Sequence, residues 1–235
     1  MTTVTISPDQ TVGEIAAQFP ASVRVLERYR IDFCCGGRVP FGEACHKAGA
    51  DPAAVRDEIA NAGVAGEDST DWQSASLNSL IDHIVNTHHV YLKAELPRLE
   101  AMLVKILAKH GEAHGGVLVP LAQTFRPMKE ELLSHLMKEE MILFPLMRSL
   151  AAGEEGTFHC GSIQNPIRVM LMEHDSAGDA LGRLRALTSG FTAPDDACNT
   201  FRAFYYELAE LESDLHRHIH LENNILFPRA VELVR

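Results

Sequence analysis

The sequence lacks several features that would assign a chain of 235 residues to other classes of protein. It has no run of about 18 apolar residues, so we expect no membrane span and no membrane partner. Its first ten residues, MTTVTISPDQ, lack the basic and then apolar pattern of a secretory signal, so we expect a cytoplasmic protein. It also lacks excess positive charge. The formal net charge of −11 argues against nucleic acid as a partner, because phosphates favour clustered lysine and arginine.

Cysteine is scarce, and its number is odd. Five cysteines in a chain of this length do not form the dense disulfide framework of a small secreted domain. In a reducing compartment, metal binding or redox chemistry is the more common use of such residues. Histidine, by contrast, is abundant: there are twelve histidines against a single tryptophan. The histidines are also unevenly distributed, which directs attention to the segments that carry them.

The hydrophobic periodicity predicts an all-α protein in two parts. Residues 1–65 contain short apolar stretches at helical spacing, several of them opened by proline, which predicts a small helical domain. Residues 66–75 are the predicted linker, within a small, polar and glycine-containing stretch. Residues 76–235 are typical of a bundle of four long, antiparallel helices with short connections. These helices are expected at about 76–109, 120–151, 166–190 and from 195 onwards, with loops at 110–116 and 153–161.

The second and fourth predicted helices carry the same motif. Residues 135–145 are HLMKEEMILFP and residues 218–228 are HIHLENNILFP, so both match H-x-x-x-E-x-x-I-L-F-P in register. The first and third helices also match, because leucine, arginine and leucine recur at equal offsets after His89 and His174. The repeat therefore predicts that one pair of helices occurs twice in tandem.

The repeated motif has the spacing of a metal site. Residues four apart lie on one face of a helix, so each motif presents an imidazole and a carboxylate to the same point. The other two helices would add one imidazole each. Imidazole mixed with carboxylate suits iron, manganese or zinc, and the absence of thiolate argues against a structural zinc site. The six predicted ligands are His89, His135, Glu139, His174, His218 and Glu222.

The number of ligands predicts two ions. One ion would need fewer groups, whereas two irons bridged by Glu139 and Glu222 would use all six and satisfy the symmetry of the repeat. Other metal motifs are weak here: the Glu-x-x-His spacing of ferritin-like sites occurs only at Glu43 and His46, and His-Glu-x-x-His is absent. For a single histidine, an ordinary surface or core position is the better interpretation. Six residues placed by a repeated pattern favour the metal site.

Acidic residues beside the predicted ligands are candidates for supporting them. Glu131 and Asp214 each lie four residues before a ligand histidine and are expected to accept hydrogen bonds from those imidazoles. Glu173 directly precedes His174 and is expected to serve a proton or ion path. The alternative for all three is a solvated charge. Four further histidines should point away from the metal face and are predicted non-ligands: His83, His88, His216 and His220.

The N-terminal part has one feature that the bundle does not explain, the adjacent Cys34 and Cys35, followed by two glycines. One interpretation is a mobile thiol pair that takes part in redox chemistry or relays iron. The other is two small buried apolar residues. A disulfide between sequence neighbours would be strained and readily reduced.

At these motifs the sequence resembles the hemerythrin-like proteins and, more closely, the iron–sulfur cluster repair di-iron proteins of the RIC family. The resemblance depends on the bundle motifs and on Asp-Phe-Cys-Cys-Gly-Gly at 32–37, and it covers nearly the whole chain. It implies a hemerythrin-like antiparallel four-helix bundle preceded by a small helical domain with the cysteine pair. Oxygen-carrying hemerythrins use five histidines in an unsymmetric set, whereas both long motifs here end in glutamate.

The resemblance also implies a function. The chain would be a stress-response protein that restores clusters damaged by nitric oxide or oxidants, with damaged iron–sulfur proteins as clients. It would donate iron from a carboxylate-bridged two-iron site, with or without an oxo or hydroxo bridge, rather than act strictly as an enzyme. Nitric oxide or oxygen would be its small-molecule ligand, and it would be a monomer or homodimer. The alternatives are a redox enzyme that reduces nitric oxide or peroxide, and a di-iron sensor of oxygen or nitric oxide.

Overall fold

A computed structural model describes residues 6–62, 70–153 and 162–234 of the chain. Within these ranges the regular structure is helical, and the one extended pairing is an isolated bridge between Thr11 and Pro40. The predicted all-α class is therefore confirmed. No helix in the same ranges combines the length and the apolar character needed to cross a bilayer. The predicted loop at 153–161 lies, apart from its first residue, outside the described residues.

Four short helices form the N-terminal part of the chain: α1 (Val12–Gln18), α2 (Ser22–Arg28), α3 (Phe41–Lys47) and α4 (Pro52–Ala62). Helix α1 begins with a capping box. The Thr11 hydroxyl accepts a hydrogen bond from the Glu14 backbone N–H, and the Glu14 carboxylate accepts one from the Thr11 N–H. Helix α4 begins with Pro52, whose missing N–H would have no helical partner at that position.

The rest of the described chain forms six helices and three π-helical segments. The α-helices are α5 (Leu77–His83), α6 (Val90–Lys138), α7 (Phe144–Ala151), α8 (Gln164–Leu187), α9 (Asn199–Leu221) and α10 (Phe227–Glu232). The π-helical segments are Ile84–His89, Glu139–Leu143 and Glu222–Leu226. Each π-helical segment joins two α-helices without a loop, so the long predicted helices are continuous through it.

The predicted loop at 110–116 is the main difference from the sequence prediction. Helix α6 passes through it, and the backbone inside the helix is non-helical at His114, with φ −117° and ψ 16°. The chain nevertheless reverses there, since Lys93 pairs with Glu140 at 2.6 Å and Glu100 with Lys129 at 2.5 Å. A Cβ added to Gly111, Gly115 or Gly116 would meet no atom within 4 Å beyond the local helix backbone, so the reversal is not crowded by other parts of the described chain.

Helix α6 therefore consists of two antiparallel arms, a first arm (residues 90–113) and a second arm (residues 115–138). The second arm pairs with α8, α8 with α9, and α9 with the first arm. The pairs are His135–Glu173 (2.7 Å), Arg185–Glu212 (2.9 Å) and Arg98–Glu207 (3.0 Å). In each pairing of neighbouring helices the chain direction reverses, as predicted for an antiparallel four-helix bundle.

The described chain forms two compact units. The bundle unit comprises residues 83–146 and 162–215, and the N-terminal unit comprises residues 6–62, 70–82, 147–153 and 216–234. The bundle unit has its own core, formed by residues such as Leu96, Leu103, Phe125, Leu181 and Phe204. The division into domains at 66–75 stays a prediction.

The N-terminal unit has a separate core. It includes buried residues of α1 to α4 and also Ile219 of α9. In the same unit the Arg229 guanidinium donates hydrogen bonds of 2.6 Å to the carbonyls of Trp72 and Ala75. The segment before α5 is thereby held by α10.

Candidate metal centre

In the bundle unit, Glu139 lies between two histidines. Its side chain is 0% exposed. Its Oε1 is 3.2 Å from His135 Nε2, and its Oε2 is 3.5 Å from His89 Nε2. A carboxylate that directs one oxygen towards each of two imidazoles has the arrangement required to bridge two metal ions.

A third imidazole joins this group from α8. His174 Nε2 is 3.0 Å from His135 Nε2, and both rings are buried. Potential ligand atoms of His135, Glu139 and His174 all lie within 4.8 Å of one another. The bundle unit thus brings together four of the six predicted ligands.

Two carboxylates hold the outward nitrogens of these imidazoles. Glu140 Oε1 is 2.8 Å from His89 Nδ1, and Glu173 Oε2 is 2.7 Å from His135 Nδ1. A carboxylate accepts from an N–H, so each fixes the hydrogen on Nδ1 and leaves Nε2 with its lone pair directed towards Glu139. Histidines that ligate metals are commonly oriented in this way.

A lysine stands behind each of these carboxylates. Lys93 Nζ is 2.6 Å from both oxygens of Glu140, and Lys138 pairs with Glu173. Partial burial alone would raise the pKa of both carboxyls, but hydrogen bonds from the lysine and the histidine outweigh it and lower the pKa of each. Both groups are therefore carboxylates at neutral pH.

The predicted supporting acids have different partners. Glu173 contacts His135 rather than its sequence neighbour, the Glu131 carboxylate accepts from the Ser176 hydroxyl at 3.4 Å, and Asp214 lies 2.8 Å from His88 Nδ1. Their roles stay predictions. Sequence reasoning missed Glu140. Two features could have indicated it: Glu140 directly follows the predicted ligand Glu139, and its helix was predicted to be antiparallel to the one that carries Lys93.

The second copy of the motif, at residues 218–228, lies in the N-terminal unit. His218 Nε2 is 3.2 Å from Glu222 Oε1, and both side chains are buried. This is the same separation as between the equivalent atoms of His135 and Glu139. The shared motif therefore folds into the same local geometry in both places.

The three π-helical segments coincide with predicted ligands. One ends at His89, and the others begin at Glu139 and Glu222. Such segments occur frequently at functional sites. Two of them are followed, two residues after their end, by Pro145 and Pro228. A proline cannot donate to the carbonyl four residues earlier and its ring crowds that carbonyl, a conflict that a widened turn relieves. Nothing in the structure explains the segment that ends at His89.

The cysteine pair lies in the N-terminal unit, between α2 and α3. Cys34 is buried, Cys35 is half-buried, and their Sγ atoms are 3.9 Å apart, so no disulfide joins them. Cys34 Sγ is 3.3 Å from Asp32 Oδ1. The contact with the Cys35 thiol, burial and the Asp32 carboxylate together raise the pKa of Cys34. Cys34 is therefore a protonated thiol at neutral pH in this conformation.

The donor set of the bundle unit fits a metal ion. Buried imidazole nitrogens converge on a buried carboxylate, and outer carboxylates fix the tautomers that ligation requires. Imidazole and carboxylate donors without thiolate suit iron, manganese or zinc. The sequence predicted that these side chains come together, because residues four apart share one face of a helix. Their role as metal ligands stays a prediction.

Comparison with known proteins agrees with this site. Residues 80–230 match the hemerythrin HHE cation binding domain, and residues 8–63 match the ScdA_N domain of unknown function, DUF542. Similar proteins include the iron-sulfur cluster repair proteins YtfE of Dickeya chrysanthemi and Edwardsiella ictaluri. Each is 37% identical over 223 residues, covering 95% of this chain and 97% of the relative. The protein of that name from Yersinia pestis is 36% identical over 226 residues, with the same coverage.

Proposed function

Because the chain belongs to the family of iron–sulfur cluster repair proteins that carry a hemerythrin-type domain, we propose that it repairs iron–sulfur clusters damaged by nitric oxide or oxidants. Damaged iron–sulfur proteins would be its clients. The observation that carries this proposal is the position of Glu139, whose two oxygens face His89 and His135.

The proposed cargo is a pair of iron ions. Four histidines and two glutamates would hold them, with Glu139 and Glu222 as bridges. The repeat supports this assignment, because it supplies the same histidine–glutamate geometry, with a separation of 3.2 Å, in both motifs. The six proposed ligands are His89, His135, Glu139, His174, His218 and Glu222.

The chemistry of these ligands suits donation. Imidazole and carboxylate are only moderately strong ligands for iron, so such a site releases the ion more readily than one built from thiolates alone. The chain's own residues then have two tasks. Glu140 and Glu173 hold the imidazoles in place, and the Cys34–Cys35 pair would accept iron as thiolates, releasing the thiol protons to water, for transfer to a client.

Metal analysis tests the site. Purified wild-type protein should contain about two irons per chain, as six ligands with two bridging carboxylates require. Glu139→Leu and Glu222→Leu should each lower the iron content. Glu130→Leu, at an exposed position of the second arm, is the matched control and should leave it unchanged. Unchanged iron content in both glutamate variants would refute the bridging roles.

Repair itself is tested with a client. An iron–sulfur enzyme inactivated by nitric oxide should regain activity when it is mixed with the iron-loaded protein, and iron should leave the protein in proportion. Cys34→Ser/Cys35→Ser should reduce this recovery. Full recovery with the double variant would exclude a thiol relay.

A second candidate is a redox enzyme that reduces nitric oxide or peroxide at the same site. The two chains of lysine, glutamate and histidine favour it, because they connect half-exposed ammonium groups to buried imidazoles, as proton transfer requires. Many turnovers with an added reductant and no loss of iron would support the enzyme over the donor.

A further inference from the structure

Two asparagines directly after Glu222 hold the loop that carries the thiol pair. Asn223 Nδ2 donates to the Cys34 carbonyl at 3.4 Å. Asn224 Nδ2 donates to the Phe33 carbonyl at 3.1 Å and reaches the Cys34 carbonyl at 3.4 Å. All of these residues belong to the N-terminal unit. The backbone carbonyls of Phe33 and Cys34 are therefore attached to the π-helical segment Glu222–Leu226.

The side chain of Asn224 fits a space that only glycine leaves open. A Cβ on Gly13 would lie 2.4 Å from Asn224 Oδ1, and a Cβ on Gly37 would lie 2.5 Å from it. The Gly13 N–H donates to the Gly37 carbonyl at 2.8 Å, so helix α1 and the cysteine loop form this space together. By contrast, a Cβ on Gly42 in the same unit would meet its nearest atom at an ordinary 3.5 Å.

Two histidines of α9, His216 and His220, also contact the cysteine loop. The ring of Phe33 packs edge-on against His220, with centroids 5.5 Å apart, and against His216 at 6.2 Å. His220 Nδ1 lies 3.1 Å from Asn224 Nδ2. These two histidines, which the sequence predicted to be non-ligands, support the cysteine loop.

We propose that Asn223 and Asn224 are positioning residues for Cys34 and Cys35, and that they couple thiol reactivity to iron binding at Glu222. Asn224 lies two residues after Glu222 in one short π-helical segment. An ion held by Glu222 restrains that segment, and the asparagines pass the restraint to the loop. Loss of the ion releases both, so the thiols become reactive when iron leaves. This coupling depends on the proposed iron site at Glu222.

Alkylation of the full-length protein tests the proposal. Cys34 and Cys35 are treated with iodoacetamide in the iron-loaded and iron-free states, and the rate at each cysteine is followed by peptide mass spectrometry. The iron-loaded protein should react more slowly by roughly fivefold or more, the lower end of coupling between linked sites. Cys198 is an internal standard, because backbone N–H groups at the start of α9 lower its pKa and its surroundings contain no proposed ligand.

Asn224→Asp is the decisive variant. It keeps the shape of the side chain but replaces the donating amide with an acceptor. The Phe33 carbonyl then loses its hydrogen bond, and the Cys34 carbonyl keeps only the one from Asn223. Alkylation of Cys34 and Cys35 should become fast, at a similar rate with and without iron, while the iron content stays at the wild-type value. Gly37→Ala should have the same effect by displacing Asn224, and Gly42→Ala should not.

The outcomes separate this proposal from the iron site itself. Failure of the iron site appears in the metal analysis of the wild type. Failure of the positioning role appears when Asn224→Asp retains the slow wild-type alkylation rates in the iron-loaded state. It also appears when the variant binds iron normally and still shows the wild-type ratio between the two states. Either of these last two results would overturn the proposal.

Discussion

The two copies of the H-x-x-x-E-x-x-I-L-F-P motif have the same internal geometry and different surroundings. In each copy the histidine and glutamate are buried with their facing atoms 3.2 Å apart, and a π-helical segment begins at the glutamate. The positions after the glutamate differ. In the copy at residues 135–145 they are Glu140, which accepts a hydrogen bond from His89, and Met141, which is 73% exposed.

In the copy at residues 218–228 the equivalent positions are Asn223 and Asn224, which donate hydrogen bonds to the cysteine loop. The next residue shows the same contrast, since Ile142 is 62% exposed and Ile225 only 4%. The histidine and glutamate of the repeat thus keep one geometry, while the positions after the glutamate differ in their contacts. One copy supports a neighbouring imidazole, and the other supports the thiols.

The largest loss of stability is expected when the two residues after Glu222 are replaced by those after Glu139. Asn223→Glu/Asn224→Met gives the copy at residues 218–228 the two residues found at positions 140 and 141. The Phe33 and Cys34 carbonyls would lose their donors, and a longer side chain would enter the space beside Gly13 and Gly37. We expect a loss of about 3–5 kcal/mol of stability, from unsatisfied carbonyls and overpacking together. Urea denaturation followed by tryptophan fluorescence measures it.

The reverse exchange is the control for that experiment. Glu140→Asn/Met141→Asn changes one residue beside His89 and one exposed residue, so stability should change by less than about 1 kcal/mol, as for most surface substitutions. Comparable losses of stability in the two exchanges would contradict the different roles of these positions in the two copies.

A single added methyl group should cause a smaller difference in stability between the N-terminal unit and the bundle unit. Gly37→Ala places a Cβ against Asn224 and against the Phe33 carbonyl, at 2.5 Å and 2.9 Å. We expect a loss of about 1–3 kcal/mol, the usual cost of overpacking. Gly111→Ala, where the added Cβ has open space in the bundle unit, should be neutral or stabilising. Equal thermal denaturation midpoints for the two variants would be incompatible with the proposed fit of Asn224.

The role of Glu140 predicts an effect on metal affinity. Glu140→Ala removes the acceptor from His89 Nδ1, so the imidazole can rotate or change tautomer. Iron affinity should fall by about 10–100-fold, as for other residues that orient ligating histidines. Glu140→Gln keeps an acceptor oxygen and should restore part of it, and Met141→Ala should have no effect. Competition with a chelator of known affinity measures the change.

The smallest effect is expected at Lys93. The Lys93–Glu140 pair is partly exposed, with 47% of the lysine side chain accessible, so water and salt screen it. Lys93→Met should lower iron affinity by less than about fivefold, and the difference should disappear at 1 M salt, where screening is effective within about 3 Å. A loss as large as that of Glu140→Ala would mean that the lysine, rather than the carboxylate, positions His89.

The position of the candidate metal ligands could be predicted because their geometry is local. A histidine and a glutamate four residues apart share a helix face whatever surrounds them, and the repeat identified which pairs to consider. The helical class follows from equally local periodicity, and the antiparallel order follows from the short connections between the helices. The residues that hold the ligands and the thiols could not be predicted in this way. Glu140 and Asn224 act on residues 51 and 190 positions away, so their roles depend on tertiary contacts.

The reversal at His114 illustrates the same limit. Three glycines in a short stretch predict a loop, because glycine destabilises a helix by about 1 kcal/mol relative to alanine. In the structure the same residues remain helical on both sides of the kink, since packing of the two arms outweighs that preference. The π-helical segments were also missed, although Pro145 and Pro228 were a usable signal for two of them.

The bonds from Arg229 to the carbonyls of Trp72 and Ala75 give the protein a built-in optical probe. Trp72 is the only tryptophan of the chain, and it belongs to the N-terminal unit. Its emission therefore follows the melting of that unit, whereas circular dichroism at 222 nm follows every helix. Superimposable melting curves would mean that the two units unfold in one cooperative step, and separate curves would give each unit its own transition temperature.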